Sequence, residues 1–363
     1  MRFFISRGAL VIALSAGYAI HQASAEQKQC SCQDLRSVQE ELKNAEYEAR
    51  FFSDMAKTLK AVEDPLIEAH KIPTHPDSDV NIGHRSSMER ARAMEKFKLP
   101  YNPAYGYTGP ATVDMRFGGC EQKPEELEKL RAGSPCKDIA DITLAHEAAH
   151  RDRCARETAS VYWDRLPSLI AAEEAERYQE QAKAMRAVLK RIVDEGTMTV
   201  EAKMEPRIFG PQFDVTYSYV TPSVKMEGKS SPGSDNWTLN GKGKQAGRIK
   251  NMKIGGMSCK SSGQLNDDID MILDTDGFAM SLKSTSTGKP GDIKVRCMGG
   301  HGMSMRPKGE VGSGEVFGEE RLTNDTNISQ DVSAMPFGKI ISQGGMSVSG
   351  KNTVTVRLVC PGQ

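Results

Sequence analysis

The chain has 363 residues, in which 48 lysines and arginines balance 48 aspartates and glutamates, so the formal net charge is zero. This balance argues against non-specific nucleic-acid binding, which depends on excess positive charge, and no nucleic-acid partner is expected. The length allows two domains with a sizeable core, and the ordinary content of apolar and charged residues excludes a chain that is disordered throughout.

The first 25 residues are typical of a secretory signal peptide. A positively charged start precedes an apolar run from Ala9 to Ile20, and Ala23 and Ala25 offer small residues for cleavage after Ala25. The run is too short to span a bilayer comfortably, and no later segment approaches about 18 consecutive apolar residues. The mature chain is therefore expected to be secreted or periplasmic and to lack a transmembrane segment, with an uncleaved anchor as the alternative.

The eight cysteines agree with export, because an even number in an exported chain favours disulfides. Eight cysteines allow about a hundred full pairings, so the count does not determine the connectivity. None of the spacings forms a good zinc–thiolate site.

A long helix is predicted from Asp34 to about Val62. Its apolar residues recur three and four apart, with charged residues between them: Leu35, Val38, Leu42, Ala45, Ala49, Phe52, Ala56 and Leu59. Such a stripe can pack on the rest of the chain or on a second copy. A homo-oligomer formed through residues 34–62 is therefore an open alternative.

Two further helices are predicted before residue 197. The first opens near Ser134 and reaches the region of Glu157, and the second begins after Pro167 and runs to about Asp194. Gly196 is placed to end the second helix.

The composition changes after Gly196, where short alternating runs rich in Gly, Ser, Thr and Lys predict strands. Asp276 and Gly277 lie between two such runs, as in a hairpin turn. We therefore expect an α+β fold of two domains, with a mainly helical domain over residues 26–196 and an all-β sandwich or barrel over residues 197–363.

The stretch "ITLAHEAAHRDRC" carries the main functional motif, in which His146 and His150 flank Glu147. Residues four apart lie on the same face of a helix, so the two imidazoles can bind one ion at about 2.0–2.1 Å per bond. The carboxylate of Glu147 lies beside them, where it can accept the proton of an activated water. The motif thus predicts a zinc site.

A catalytic zinc needs a third protein ligand, and the second helix supplies a candidate. Its inward stripe of Tyr178, Ala182, Met185, Leu189 and Ile192 continues back by one turn to Glu174. A carboxylate on an apolar stripe is costly unless it is paired, so Glu174 is the predicted ligand. Its acidic neighbours, Glu173, Glu176 and Glu180, fall off the stripe and are interpreted as a solvated face. Glu157 lies about 10 Å beyond His150 along a continuous helix, too far to bind the same ion.

The motif and a glutamate from the next helix resemble the gluzincin branch of zinc metallopeptidases. Some bacterial exported members have a second-helix pattern Glu-x-x-Ala-Tyr-x-x-Gln, which Glu174, Tyr178 and Gln181 match here, whereas Arg177 replaces the alanine. The resemblance covers about residues 110–195 and implies a zincin-like metallopeptidase domain.

The resemblance implies that His146, His150 and Glu174 hold Zn²⁺ while Glu147 acts as general base on a water that attacks a peptide bond. Tyr178 is a candidate for stabilising the transition state or for supporting the ligands. Cysteines before and after the motif are also common in such proteins. Cys154 is expected to form a disulfide, with Cys136 as its candidate partner, and a role as a soft metal ligand is the alternative.

The expected function is thus that of an exported zinc metallopeptidase. Its substrate is a protein, a peptide or a peptidoglycan peptide, among which the sequence does not decide. One alternative is a catalytically silent binding or scaffold protein of the cell envelope with the same fold. Another is copper binding in the β-rich half, where soft ligands cluster near one histidine: Cys297, Met298, His301, Met303 and Met305.

Overall fold

The computed structural model describes residues 27–68, 124–157, 166–230, 234–287, 293–298, 302–305, 314–318, 322 and 325–361. The predicted signal peptide lies outside these residues. A 3-10 turn at Cys32–Asp34 leads into the first α-helix. The α-helices of the described part are α1 (Leu35–Glu68), α2 (Pro124–Gly133), α3 (Lys137–Glu157), α4 (Pro167–Glu195) and α5 (Pro336–Gln343).

The helix α1 confirms the predicted long helix and extends it by about two turns. Its heptad stripe is turned into the protein, and the following members are buried: Leu35, Val38, Leu42, Ala45, Ala49, Phe52 and Leu59. The 3-10 turn before α1 begins with a capping box, in which the hydroxyl of Ser31 accepts a hydrogen bond from the backbone N–H of Gln33 and the Asp34 carboxylate accepts one from the N–H of Ser31.

The helices α1 and α4 pack against each other in antiparallel directions. Phe52 of α1 stacks on Tyr178 of α4, while the side chain of Glu63, near the end of α1, lies at the first turn of α4. There the backbone N–H of Ser168 donates to the buried Glu63 carboxylate at 3.4 Å. A carboxylate is favourable at this position because a helix N-terminus has unpaired N–H groups and a positive dipole end.

The β-rich half forms a curled antiparallel sheet. Its principal strand order is β10-β7-β6-β4-β3-β1-β13-β11. The bounds are β1 (Thr197–Met204), β2 (Arg207–Gly210), β3 (Phe213–Lys225), β4 (Trp237–Ile254), β5 (Met257–Ser262), β6 (Leu265–Thr275), β7 (Met280–Ser286), β8 (Ile293–Cys297), β9 (Gly302–Met305), β10 (Gly314–Gly318), β11 (Thr326–Asp331), β12 (Ser347–Ser349) and β13 (Lys351–Val359).

The turn at Asp276 and Gly277 joins β6 to β7, as the sequence predicts. Gly277 has a φ of +89°, a left-handed conformation that favours glycine. The carboxylate of Asp276 accepts hydrogen bonds from the backbone N–H groups of Phe278 and Ala279. The side chain of Gln39 on α1 donates to the carbonyl of Gly277 at 2.7 Å, so this hairpin is attached to the long helix.

The helices and the sheet share one hydrophobic core. Leu42 of α1, Ile192 of α4 and Leu358 of β13 belong to the same cluster of buried residues. The change from helix to strand falls where the sequence predicts it, since α4 ends at Glu195 and β1 begins at Thr197. The α+β composition is therefore confirmed, and the predicted halves are packed directly on each other.

Three disulfides lie within the described residues: Cys30–Cys136, Cys32–Cys360 and Cys259–Cys297. The predicted pairing of Cys136 with Cys154 is therefore wrong, and Cys154 is bonded elsewhere. Cys136 directly precedes α3 and Cys154 lies in its last turn, and from Lys137 to Cys154 the helix rises about 25 Å. A disulfide requires Cα atoms within about 7 Å, so one straight helix cannot join them.

Among the described residues, no helix combines the length and the apolar character that crossing a membrane requires.

Candidate metal centre

The helix α3 presents both predicted histidines on one face. The Nε2 atoms of His146 and His150 lie 3.2 Å apart, and both side chains are buried. Spacing by four residues brings them together, since one helical turn contains 3.6 residues. Two imidazole nitrogens that converge in this way are suited to bind one metal ion.

The helix α4 adds the predicted carboxylate. Oε2 of Glu174 lies 3.6 Å from Nε2 of His146 and 3.4 Å from Nε2 of His150. Ligands of a tetrahedral ion with bonds of about 2.0–2.1 Å lie about 3.3 Å from one another. The three ligand atoms thus form a triangle of the right size, and the group could hold a metal ion.

The helix α3 continues without a break from His150 to Glu157. Glu157 is therefore too far along the helix to join the three ligands, as the sequence predicts. Glu147 is half-buried on the same helix, next to the first ligand. The sequence therefore predicts all three residues of the cluster and the position of Glu147 on the helix that carries two of them.

Glu173 belongs to the site, contrary to its predicted place on a solvated face. It is only 2% exposed, and its Oε1 lies 3.2 Å from Nδ1 of His150. Its other oxygen lies 3.7 Å from Nη1 of Arg153. A carboxylate that accepts a hydrogen bond from Nδ1 fixes the imidazole so that its Nε2 faces the metal position, which is a common arrangement around metal ligands. Glu173 is thus a residue of the candidate site that periodicity missed.

The charges within the cluster are strongly coupled. Burial by itself lowers the pKa of His150, but hydrogen bonds and charge interactions with Glu173 and Glu174 outweigh it and raise the pKa to about 10. Burial opposes ionisation of Glu174, yet the adjacent imidazoles of His146 and His150 lower the pKa of that carboxyl. In the metal-free protein, the raised pKa of His150 favours a protonated imidazole beside the two carboxylates, and a metal ion has to displace that proton.

Tyr178 contacts the cluster through its ring. The ring centroid lies 4.6 Å from that of His146, with the planes inclined by 60°. Tyr178 is also stacked against Phe52 of α1, with ring centroids 5.7 Å apart and nearly parallel planes. One ligand of the cluster is thus packed on an aromatic pair, and α1 reaches the site through that pair.

Several carboxylates surround the phenol. Burial, followed by the charges of Glu174, Glu48 and Glu147, raises the pKa of Tyr178. Burial and the charge of Glu174 also raise the pKa of Glu48, which lies one turn before Phe52 on α1. The hydroxyl of Tyr178 therefore keeps its proton at neutral pH and can act as a hydrogen-bond donor.

The copper hypothesis loses one of its ligands. Cys297 is bonded to Cys259 across β8 and β5, so its sulfur is not a free thiolate. His301 and the side chains of Met303 and Met305 lie outside the described residues, and Met298 is exposed.

No protein-family model, curated protein or solved structure matches the chain.

Proposed function

We propose that the protein is a zinc-dependent peptidase. The observation that carries the proposal is the triangle formed by His146, His150 and Glu174, with Glu147 next to one of the ligands. Two imidazoles and one carboxylate are the ligand set of several catalytic zinc sites, which leave a further position for water or substrate.

Bound zinc would supply Lewis-acid chemistry, since it activates water and polarises a peptide carbonyl. The chain's own residues would then handle the proton. The carboxylate of Glu147 accepts it from the attacking water and can return it to the amine that leaves when the peptide bond breaks. The protonated hydroxyl of Tyr178 is available as a donor to the oxygen that becomes negative during the attack.

The metal content of the purified protein is the first test, because two histidines and a carboxylate also bind iron in some enzymes. We expect about one zinc per chain in the wild type and little or none in the Glu174→Ala variant. Glu176→Ala is the matched control, since Glu176 lies on the same helix but is exposed. Iron instead of zinc, or zinc retained in Glu174→Ala, would contradict the proposed site.

Hydrolysis is the second test. Peptide or casein cleavage by the zinc-loaded wild type should fall at least about a hundredfold in Glu147→Gln, while the zinc content stays the same. A wild type that binds zinc and cleaves neither proteins, peptides nor peptidoglycan peptides would instead support the silent scaffold protein.

We further propose that the protein acts outside the cytoplasm. The three disulfides of the described residues support this location, because disulfides persist in oxidising compartments. A protein or peptide substrate, including a peptidoglycan peptide, would be encountered there.

A further inference from the structure

The two histidines of the cluster are held in different ways. His150 has a carboxylate at its Nδ1, whereas no described residue makes a hydrogen bond with the buried Nδ1 of His146. A metal ligand usually has its second nitrogen engaged, because that contact fixes the plane of the ring. Among the described residues, the ring of His146 is therefore oriented by its contacts at Nε2 and by packing.

The packing of His146 comes from an aromatic stack. Tyr178 presents its ring to His146 at 4.6 Å and 60°, a geometry in which one ring meets another obliquely. Phe52 covers Tyr178 at 5.7 Å with an interplanar angle of 6°. Phe52 is only 6% exposed, so the stack is part of the packed interior and not a surface contact.

The helix that carries Phe52 is linked near both ends to the helices that supply the candidate ligands. Near its start, Cys30 is bonded to Cys136, and the backbone N–H of Cys30 donates to Asp138 in the first turn of α3. Near its end, Glu63 accepts from the first turn of α4. The segment before α1 is thereby bonded to the start of α3, and the end of α1 lies against the start of α4.

We propose that Phe52 is a positioning residue of the metal centre, which orients His146 through Tyr178. The proposal rests on the proposed metal function of the cluster. It makes α1 a part of the site, because Phe52 lies on that helix. In this proposal, α1 fixes the plane of the His146 imidazole, whose Nδ1 has no hydrogen-bond partner among the described residues.

The test uses the full secreted chain and Co²⁺, whose visible absorption depends on coordination geometry. Phe52→Leu keeps apolar bulk and removes the ring. Tyr178→Leu removes the middle of the stack, whereas Tyr178→Phe preserves it and removes only the hydroxyl. Leu59→Ala is the control, because Leu59 is fully buried in the same cluster of α1 and α4 but is not part of the stack.

We expect Phe52→Leu and Tyr178→Leu to weaken Co²⁺ binding about tenfold or more and to change the absorption spectrum, as losses around metal ligands do. Tyr178→Phe should keep the wild-type affinity and spectrum. Leu59→Ala should lower the unfolding temperature and leave the Co²⁺ affinity and the absorption spectrum unchanged.

Wild-type affinity and spectrum in Phe52→Leu would overturn the inference while the metal site stands. An equal loss of affinity in Leu59→Ala would also overturn it, since general loosening of α1 would then explain the effect. A wild type that binds neither Co²⁺ nor Zn²⁺ would refute the proposed function itself. If Phe52→Leu and Tyr178→Leu weaken Co²⁺ binding but the wild type cleaves no peptide, the inference stands and only the proposed peptidase activity is refuted.

Discussion

Glu173 and Glu174 are neighbours in the sequence and have different tasks at the candidate metal centre. Glu174 points an oxygen at both Nε2 atoms, whereas Glu173 reaches the far nitrogen of His150. Successive residues on a helix are about 100° apart, so two adjacent carboxylates can approach one imidazole from two sides. A pair of glutamates in this arrangement supplies both a ligand and its support.

Removal of the support should weaken metal binding without removing a ligand. We expect Glu173→Ala to lower zinc affinity by about 10–100-fold, measured by competition with a chromophoric chelator. Glu173→Gln should lose less, because its amide oxygen can still accept from Nδ1. Glu176→Ala serves again as the exposed control. Unchanged affinity in Glu173→Ala would mean that the contact with His150 is only structural.

The pKa shifts of the cluster predict how the stability of the metal-free protein varies with pH. The raised pKa of His150 stabilises the fold fully below its ordinary value of 6.5, and this contribution is lost as the pH rises towards about 10. The lowered pKa of Glu174 stabilises the fold above its ordinary value of 4.5 and is lost as the pH falls. The contribution of the pair is therefore largest between these two ordinary values.

Thermal unfolding of the chelator-treated protein checks this expectation. The unfolding temperature of the wild type should decline between about pH 6.5 and 10 relative to that of the His150→Gln variant, which has no titrating imidazole at this position. Parallel profiles for the two proteins would show that His150 and the carboxylates do not form an ion pair.

At the scale of elements, the helices of the site follow closely from apolar periodicity. The structure places α4 at Pro167–Glu195, within a residue of the predicted end, and α3 at Lys137–Glu157, so that α3 reaches the predicted region. Periodicity fails at Glu173 because α4 packs on α1 with one side and on α3 with another. The second side is lined by charges paired with histidines, which in a sequence resemble a solvated face.

The contact between Glu63 and the start of α4 should stabilise the pair of helices. We expect Glu63→Ala to reduce the free energy of unfolding by about 1–2 kcal/mol, because the N–H of Ser168 would lose a charged acceptor at a helix N-terminus. Asp64→Ala is the control, since Asp64 is exposed on the next position of α1. Chemical denaturation of both variants measures the difference, and equal losses would contradict the capping role.

At the scale of the molecule, the sequence predicts the change from helices to strands but not the contact between the two halves. The alternating pattern of a strand and the apolar stripe of a helix each indicate which face is buried. Neither pattern shows which other element packs against that face. The sequence likewise does not determine which cysteines pair. The predicted helix α3 does exclude a bond between Cys136 and Cys154, because they lie near its two ends.

The disulfide between Cys32 and Cys360 joins residues 328 positions apart. Replacement of both by serine should reduce the free energy of unfolding by about 2–5 kcal/mol, because the unfolded chain gains the freedom of a very long loop. The Cys259→Ser/Cys297→Ser variant opens a loop with a separation of only 38 residues and should lose less. Denaturation without reductant compares the two, and a greater loss in the second variant would contradict the loop-entropy argument.

The same bond turns almost the whole described chain into a covalent ring. A single backbone cut anywhere between Cys32 and Cys360 opens this ring but releases no piece, because the two fragments stay joined through sulfur. A molecule nicked by a neighbouring protease, or by a second copy of itself, would therefore migrate as one species on a non-reducing gel and separate only after reduction. Such a chain can be cut once and still keep its metal ligands in one covalent assembly.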